Sequence, residues 1–276
     1  MPELPEAETI VRGLRPAITG RRIARAEVLK PDGLLESKRS FAPKGRGRTV
    51  ARVERRAKNV LIVLDGGRRI AVNLGMTGRL LPFETPPRGA RRPTHPAVRF
   101  RFADGSLLVF DDTRRFGTVE CLTDEEWRSR EARFGPEPLD DGFTAGMLHS
   151  ALATSRSPVR SWLLDQRRIA GVGNIYAAEA LFLSGVNPLR QARSIDGPEA
   201  ERLHAALRDV LRGAIDEGGT TIRDYRNAIG GESGYARLLG VYGRDGAACR
   251  RCGSTVERAV LSNRSAFFCP TCQPAP

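Results

Sequence analysis

Lysine is nearly missing from this chain. Of 45 Lys+Arg residues only Lys30, Lys38, Lys44 and Lys58 are lysine, and the other 41 are arginine. Against that habit, a lysine kept within Arg55-Arg56-Ala57-Lys58 stands out. Long apolar runs are missing too: none approaches the roughly 20 residues of a membrane span. The N-terminus lacks the basic-then-apolar layout of a secretory signal. These two absences predict a soluble, intracellular protein with no membrane partner. No internal repeat is visible, which argues against a solenoid or propeller. No basic tail is present although the formal charge is +13, so the positive charge must lie on folded surface, where it suits a polyanion. Cysteine is sparse, five in all, but four crowd near the C-terminus in paired spacing. In an intracellular chain that argues for metal rather than disulfides. The fifth, Cys121, sits in the apolar setting Val119-Glu120-Cys121-Leu122 and reads as a packing residue.

What is there falls into two halves, and 276 residues suffice for two domains. Leu4, Ala7, Val11 and Leu14 share helical spacing and predict a helix over Leu4–Leu14. Short β-rich runs follow at Ile23–Leu29, Arg48–Arg55, Val60–Leu64, Arg69–Leu74, Arg79–Phe83, Ala97–Phe102, Leu107–Phe110 and Thr118–Leu122. Asp65-Gly66-Gly67 and Asp104-Gly105 are hairpin signals between them. A short helix over Asp124–Arg130 and a hinge at Gly135-Pro136-Glu137-Pro138-Leu139 come next. Beyond it the pattern is helical: Ser157 as N-cap of a helix to Leu164, a glycine-rich turn, a helix from Asn174 to Gly185, and another from Pro198 to about Glu217. A short helix is expected over Tyr235–Leu239. The expected fold is α+β: an N-terminal β-sandwich with a flanking helix, a hinge, a helical domain and a zinc hairpin. The expected domains are 1–134, 135–148 (hinge), 149–240 and 241–276.

Three stretches carry chemistry. If Met1 is removed, Pro2 becomes a secondary amine at the N-terminus, with a pKa of about 7.7–8.0 for such a group. That amine can condense with a sugar aldehyde to an iminium cation, which is covalent catalysis by an electron sink. Glu3 and Glu6 follow at i, i+3 spacing, a proton donor and acceptor beside the nucleophile. The same residues also suit an ordinary helix start, with Pro5 in the first turn and glutamates at the positive end of the dipole. Cys249-x2-Cys252, sixteen residues, then Cys269-x2-Cys272 is a four-thiolate zinc pattern whose spacer holds a β-hairpin. With all four positions filled the metal is structural, and Arg258 and Arg264 on the hairpin can clamp phosphate. Finally, Gln166–Gly173 and the helix start at Asn174 resemble an anion site, glycine backbone and helix dipole combined.

The residues in order resemble a family. Met1-Pro-Glu-Leu-Pro-Glu-Ala-Glu-Thr9, Arg55-Arg-Ala-Lys58, Asn73-Leu-Gly-Met-Thr-Gly78, Arg114-Arg-Phe-Gly117, Gly135-Pro-Glu-Pro-Leu139, Gly171-Val-Gly-Asn-Ile-Tyr176, Gly218-Gly-Thr-Thr221, Val241-Tyr-Gly-Arg244 and the four-cysteine finger are together similar to the bacterial formamidopyrimidine-DNA glycosylases. The resemblance runs from Met1 to Cys272. It implies excision of oxidised purines (8-oxoguanine, formamidopyrimidines) from duplex DNA, then β,δ-elimination at the abasic site, in the bacterial cytoplasm at the nucleoid. A monomer suffices, with one structural zinc. It implies that Pro2 attacks C1′, that Glu3 assists ring opening and proton transfer, that Glu6 supports the site, and that Lys58 lies beside the lesion and its phosphates. Met76, Arg114 and Phe116 match the trio filling the gap left by a flipped base. Asn174 and Arg264 match phosphate-gripping residues, and Asn174 opens the second helix of a helix–two-turns–helix element. His95 matches a histidine at the DNA surface, although a loop histidine is also simply solvated. A base must leave the stack for such chemistry, and Met and Phe are apt wedges. Met76 and Phe116 also read as core, but their glycine neighbours favour loop tips.

Departures mark the limits of the likeness. Thr113 stands where the family commonly has proline, and Gly230-Gly231-Glu232-Ser233-Gly234-Tyr235-Ala236 replaces the usual wording of the lesion-covering loop. The alternatives are the sister endonuclease VIII type, acting on oxidised pyrimidines, and a non-catalytic zinc-finger DNA-binding module. Leu4 and the wedge trio oppose the first; the second has no use for a free N-terminal proline.

Overall fold

The computed structural model describes residues 2–89, 92–220 and 234–275. They divide into two compact units. The first runs up to Arg133 and takes in Gly218, Gly219 and Thr220 from far along the chain; the second holds Phe134–Glu217 and resumes at Tyr235.

The first unit begins with α1 (Leu4–Ile18), whose Leu4, Ala7, Ile10, Val11, Leu14 and Ile18 form one buried stripe. The helix outlasts its expected end at Leu14 and passes through Pro16, because the stripe continues to Ile18. Behind it lie two four-stranded sheets. One is ordered β1 (Ile23–Val28), β6 (Pro96–Phe102), β7 (Leu107–Asp112), β5 (Gly78–Phe83); the other β2 (Val50–Arg56), β3 (Asn59–Leu64), β4 (Arg68–Asn73), β8 (Thr118–Thr123). Their pairings are antiparallel, with Ile62 opposite Val53 on one side and Ile70 on the other. Val53, Val60, Ile62, Val72 and Val119 from one sheet and Val98, Phe100, Leu108 and Phe110 from the other share a single core, closed by the α1 stripe. Cys121 is part of it. The expected hairpin signals hold: Gly66 and Gly67 both have positive φ between β3 and β4, and Gly105 turns the chain between β6 and β7.

One element of this unit was not legible. Helix α2 (Lys38–Lys44) contains Pro43, is too short for periodicity to register, and starts because the Ser37 hydroxyl accepts the Ser40 N–H. Its Phe41 packs against the Phe100 ring. The unit closes with α3 (Asp124–Glu131), N-capped by Thr123.

In the second unit α6 (Asn174–Ser184), buried on nearly every side, packs against α5 (Val159–Leu164) and α7 (Gly197–Asp216), and α4 (Ala145–Ala153) packs on α7. The 3-10 turn Tyr235–Leu238 and the hairpin β9 (Glu257–Leu261) and β10 (Arg264–Phe268) follow. Three expectations shift here. Ser157 is not a cap: the α5 N-cap is Pro158, and Ser157 instead donates its N–H to the Ser155 hydroxyl. Helix α4, unforeseen, runs across the expected division at 148/149. The stretch expected as a hinge is fastened to the unit's own glycine turn, Gly135 N–H to Gln166 O and Ala170 N–H to Pro136 O. The finger shares a core with α6, in which Ala178 and Phe182 meet Val241, Val256 and Phe267. No described helix is long and apolar enough to cross a membrane.

Candidate functional site

At the start of α1 the two glutamates meet, though not as two turns of one helix. Glu3 is the extended N-cap, and Glu6 is the third helical residue. They form a capping box in which the Glu3 N–H donates to Glu6 Oε2 at 2.8 Å. Both are about 2 % exposed, and Pro2 beside them is buried. The other oxygen of Glu6 accepts the Thr220 N–H at 2.7 Å. The chain approaches closely there: Gly219 has φ +90°, and a Cβ on it would stand 3.1 Å from Glu6. One buried carboxylate thus holds the N-terminal residues and a segment 214 positions away. Lys58 lies in the β2–β3 turn beside Ala57, which has φ 52°. Arg55 ties that turn to α1 by donating to both the Ala57 carbonyl and Glu8. The Lys58 turn and the first turns of α1 are therefore neighbours.

The expected wedge residues come from two loops that the fold presses together. Gly75 (φ +60°) sits against Phe116 and Gly117, where a Cβ would lie 2.5 Å from the Gly117 nitrogen. Only glycine fits. Asp112, which the sequence reading did not single out, organises both loops. Its Oδ1 accepts from the Thr77 hydroxyl at 2.5 Å and from the Arg114 N–H at 3.2 Å, and its Oδ2 accepts the Gly117 N–H at 2.8 Å. Asp112 is 1 % exposed. Around this fixed root Met76 is half-buried, while Phe116 is 57 % exposed with the Arg114 guanidinium 4.9 Å above its ring. An exposed phenylalanine on a rigid turn is costly to leave in water and suits insertion between bases. His95 joins the same cluster: its N–H donates to Asp111 Oδ1, its carbonyl accepts the Asp112 N–H, and its ring lies 3.4 Å from the Thr113 hydroxyl. Of the loop expected to cover the lesion, 223–234, all but Gly234 lies outside the described residues.

In the second unit Asn174 opens α6, and Gly173 caps it without a side chain. A buried cation holds the arrangement. Arg160, 1 % exposed, donates through Nη2 to Asn174 Oδ1 (2.5 Å) and Ser265 O (2.7 Å), and through Nη1 to Leu261 O (3.4 Å). Asn174 Nδ2 also donates to Ser265 O. Burial, and next the charge of Arg264, pull the Arg160 pKa below the usual arginine value, yet a guanidinium stays charged. Ser262 and Asn263 both take positive φ, making the tight turn that carries exposed Arg264. A cavity of about 250 Å³ lies among Arg160, Ser161, Leu261, Ser262 and Arg264. Sequence reading found Asn174 and Arg264 but missed Arg160, because nothing local distinguishes it from the other arginines.

Among the described residues Cys249, Cys252, Cys269 and Cys272 form a cluster whose sulfurs all lie within 4.8 Å of one another. The Sγ atoms of Cys249 and Cys272 are 4.0 Å apart and those of Cys252 and Cys269 3.5 Å. Tetrahedral zinc with Zn–S bonds of about 2.3 Å needs sulfurs about 3.8 Å apart, so the residues fit. Zinc there would lock the hairpin, with no open position for substrate. A carboxylate and an amide seat the finger: Glu179 accepts the N–H groups of Gly240, Val241 and Tyr242, and buried Gln273 donates to Val186 O and accepts the Cys269 N–H.

A β-sandwich entered by a glutamate-capped helix, joined in sequence to a helix–turn–helix unit with a four-cysteine hairpin, defines a class of zinc-finger proteins built on the helix–two-turns–helix element. Within it, the chain belongs to the formamidopyrimidine-DNA glycosylase family. Residues 1–119 match that family's N-terminal domain, 134–226 its helix–two-turns–helix domain, and 246–275 the zinc finger found in these proteins and in isoleucyl-tRNA synthetases. The formamidopyrimidine-DNA glycosylases of Chloroflexus aggregans and Paracoccus denitrificans are both 42 % identical, over 99 % of this chain and 98 % and 100 % of theirs. The crystal structure of the MutM (Fpg) protein of Thermus thermophilus matches with a TM-score of 0.88 at 39 % identity, covering all of both chains. Lactococcus lactis Fpg in complex with DNA containing an abasic site matches with a TM-score of 0.90 at 30 % identity, over 99 % of this chain and 100 % of that one.

Proposed function

We propose that this chain is a bifunctional DNA glycosylase and abasic-site lyase of base-excision repair, acting on 8-oxoguanine and formamidopyrimidines in duplex DNA. The observation that carries the reading is Pro2 placed directly before a buried, interlocked pair of carboxylates in a protein of this family. After loss of Met1 the Pro2 nitrogen attacks C1′, the glycosidic bond breaks, and the damaged base leaves with its electron pair. Glu3 supplies a proton as the sugar ring opens, leaving an iminium on Pro2. The iminium acidifies the C2′ hydrogen, and its removal expels the 3′ phosphate; a second elimination expels the 5′ phosphate. Glu6 fixes Glu3 and the segment at Thr220. Lys58 contributes its ammonium beside the lesion phosphates.

Met76, Arg114 and Phe116 occupy the gap in the stack, His95 stands at the DNA backbone, and Asn174 with Arg264 grips phosphate. One zinc, held by the four cysteines, keeps the hairpin folded. A sandwich domain, a short linker, a helical domain and the finger act together on one duplex, and a monomer is sufficient. The enzyme works in the bacterial cytoplasm, at the nucleoid.

Borohydride should trap a covalent adduct with abasic DNA, and Pro2→Gly should weaken trapping severely. Full trapping by protein that retains Met1 would sink the Pro2 assignment and make Lys58 the first suspect. A second substrate class is supported by one relative: a solved structure of Lactococcus lactis Fpg carries DNA with an oxidised pyrimidine. Excision rates on 8-oxoguanine and on an oxidised pyrimidine, measured side by side, rank the two.

A further inference from the structure

A groove of about 650 Å³ lies on the first unit between β1 and α2. Ala24, Arg25, Ala26, Glu27, Val28 and Leu29 line one wall in unbroken succession. Successive strand residues point to opposite faces, so six in a row can border one cavity only along the strand's edge. The only described strand paired with β1 along its length is β6. Past Ile23, which exchanges hydrogen bonds with Gly47 and Arg48, the opposite edge faces the groove without a strand partner. The other wall is one side of α2 and its exit: Lys38, Ala42, Pro43 and Arg46. The groove therefore has a strand edge on one side, a helix on the other, and about 20 Å of length from six residues at the strand rise.

Its chemistry is one-sided. Alanine, valine and proline supply the apolar lining, and the charged rim is Arg25, Lys38 and Arg46 against Glu27 alone. Glu27 is already neutralised, being paired with Arg25, Arg99 and Arg101. Lys38 and Arg46 have no ion pair among the described residues. A second concavity adjoins through Pro43 and Arg46 and adds Lys44, Arg48 and Arg68 against Asp65. The groove opens at the Arg48 end of β2, whereas Lys58 lies at the other end, about 20 Å away along seven strand residues.

We propose that this groove binds an extended acidic peptide segment of a partner protein, added as a strand to the free edge of β1. Backbone hydrogen bonds to β1 supply affinity, the apolar walls take alternate side chains, and the cations select carboxylates on the peptide. The unpaired β1 edge presents alternating N–H and C=O groups that a peptide backbone can match in register and a sugar–phosphate backbone cannot, which favours a peptide over nucleic acid. The proposal does not depend on the catalytic reading.

The probe is a fluorescein-labelled octapeptide of alternating valine and aspartate, titrated by anisotropy into the full-length, zinc-loaded protein. Saturable binding is expected, with the amide signals of residues 24–29 shifting in a nitrogen–proton NMR spectrum. Arg46→Glu and Lys38→Glu should each weaken it by about tenfold or more, the usual scale for charge reversal at a recognition rim. Both should leave abasic-strand cleavage and thermal stability unchanged. The same peptide methylated on alternate backbone nitrogens keeps its charge but cannot pair with β1, and it should lose most of its affinity. Equal affinity for the methylated peptide would overturn strand addition. Displacement of the peptide by single-stranded oligothymidylate, with Arg46→Glu weakening both ligands alike, would overturn the peptide reading in favour of a nucleic-acid surface.

Discussion

The two loops of the first unit that carry Met76 and Phe116 and the Asn174–Arg264 region of the second solve one problem with opposite charges. In the first, a buried carboxylate, Asp112, accepts from the Thr77 hydroxyl and from the N–H groups of Arg114 and Gly117. In the second, a buried guanidinium, Arg160, donates to Asn174 Oδ1 and to the carbonyls of Leu261 and Ser265. The sign decides what remains free. A carboxylate consumes amide donors and leaves the side chains Arg114 and Phe116 outside to act. A guanidinium consumes carbonyls, so the exposed Arg264 side chain is left outside to meet an anion. Each site is a mobile kind of structure, a loop or a hairpin tip, made rigid by one desolvated charge whose removal leaves several polar groups unpaired.

The comparison breaks most completely at the finger. Stripping zinc, or replacing Cys269 with Ser, should abolish DNA binding, because the β9–β10 hairpin that carries Arg264 loses its anchor. The β-sandwich should keep its own unfolding transition, since its core draws on none of those residues. Calorimetry together with a binding titration reads both. Unchanged affinity in metal-free protein would remove the finger from recognition.

Next in size is Arg160→Met, which keeps the stem and deletes the charge. Losing one partner of several buried acceptors costs about 1–3 kcal/mol for each group left dry. DNA affinity should fall about 10- to 100-fold, with a shallower dependence on salt as phosphate contacts are lost. Loss of stability without loss of affinity would make Arg160 purely structural.

Asp112→Ala and Phe116→Ala sharpen the contrast on the other side. A wedge that stabilises the flipped state matters for extracting a base and little for a site already abasic. Phe116→Ala should slow 8-oxoguanine excision strongly, yet leave abasic-strand cleavage within about a factor of ten, roughly 1.4 kcal/mol. Asp112→Ala should follow the same pattern with a larger drop, since it loosens both loops. Arg114→Ala should in addition blur discrimination of the opposing base, because its guanidinium can donate several hydrogen bonds. Equal losses on both substrates would move these loops into support of the catalytic centre.

The smallest effect concerns a carboxylate with no part in either site. Burial raises the Glu36 pKa, but hydrogen bonds from Lys44, the Cys121 N–H and Ser40 outweigh it, and the net shift is downward. A depressed carboxyl adds stability above its unfolded pKa and loses it as pH falls through the lower folded value. Glu36→Gln should therefore flatten stability on the acid side, by about 1 kcal/mol for a pair that is mostly buried but still reached by solvent. A Glu36→Gln protein with the wild-type acid slope, followed by thermal melts, would refute the assignment.

The sequence by itself determined whatever is encoded locally. Strand alternation and the Asp-Gly turns located β1 to β8 within two residues, because side-chain period and turn chemistry are properties of neighbours. The four cysteines were equally readable from their paired spacing, whereas Pro2, Glu3 and Glu6 taken alone read as an ordinary helix start. Tertiary structure decided the rest. Nothing near Asp112 announces that it holds two loops, and nothing near Arg160 announces that it fastens residues more than 100 positions away. Glu6 was readable as an acidic helix start, yet its grip on Thr220 spans 214 residues. A buried charge draws its meaning from the donors and acceptors that folding brings to it. In a chain with 41 arginines, composition cannot say which one has been taken out of water.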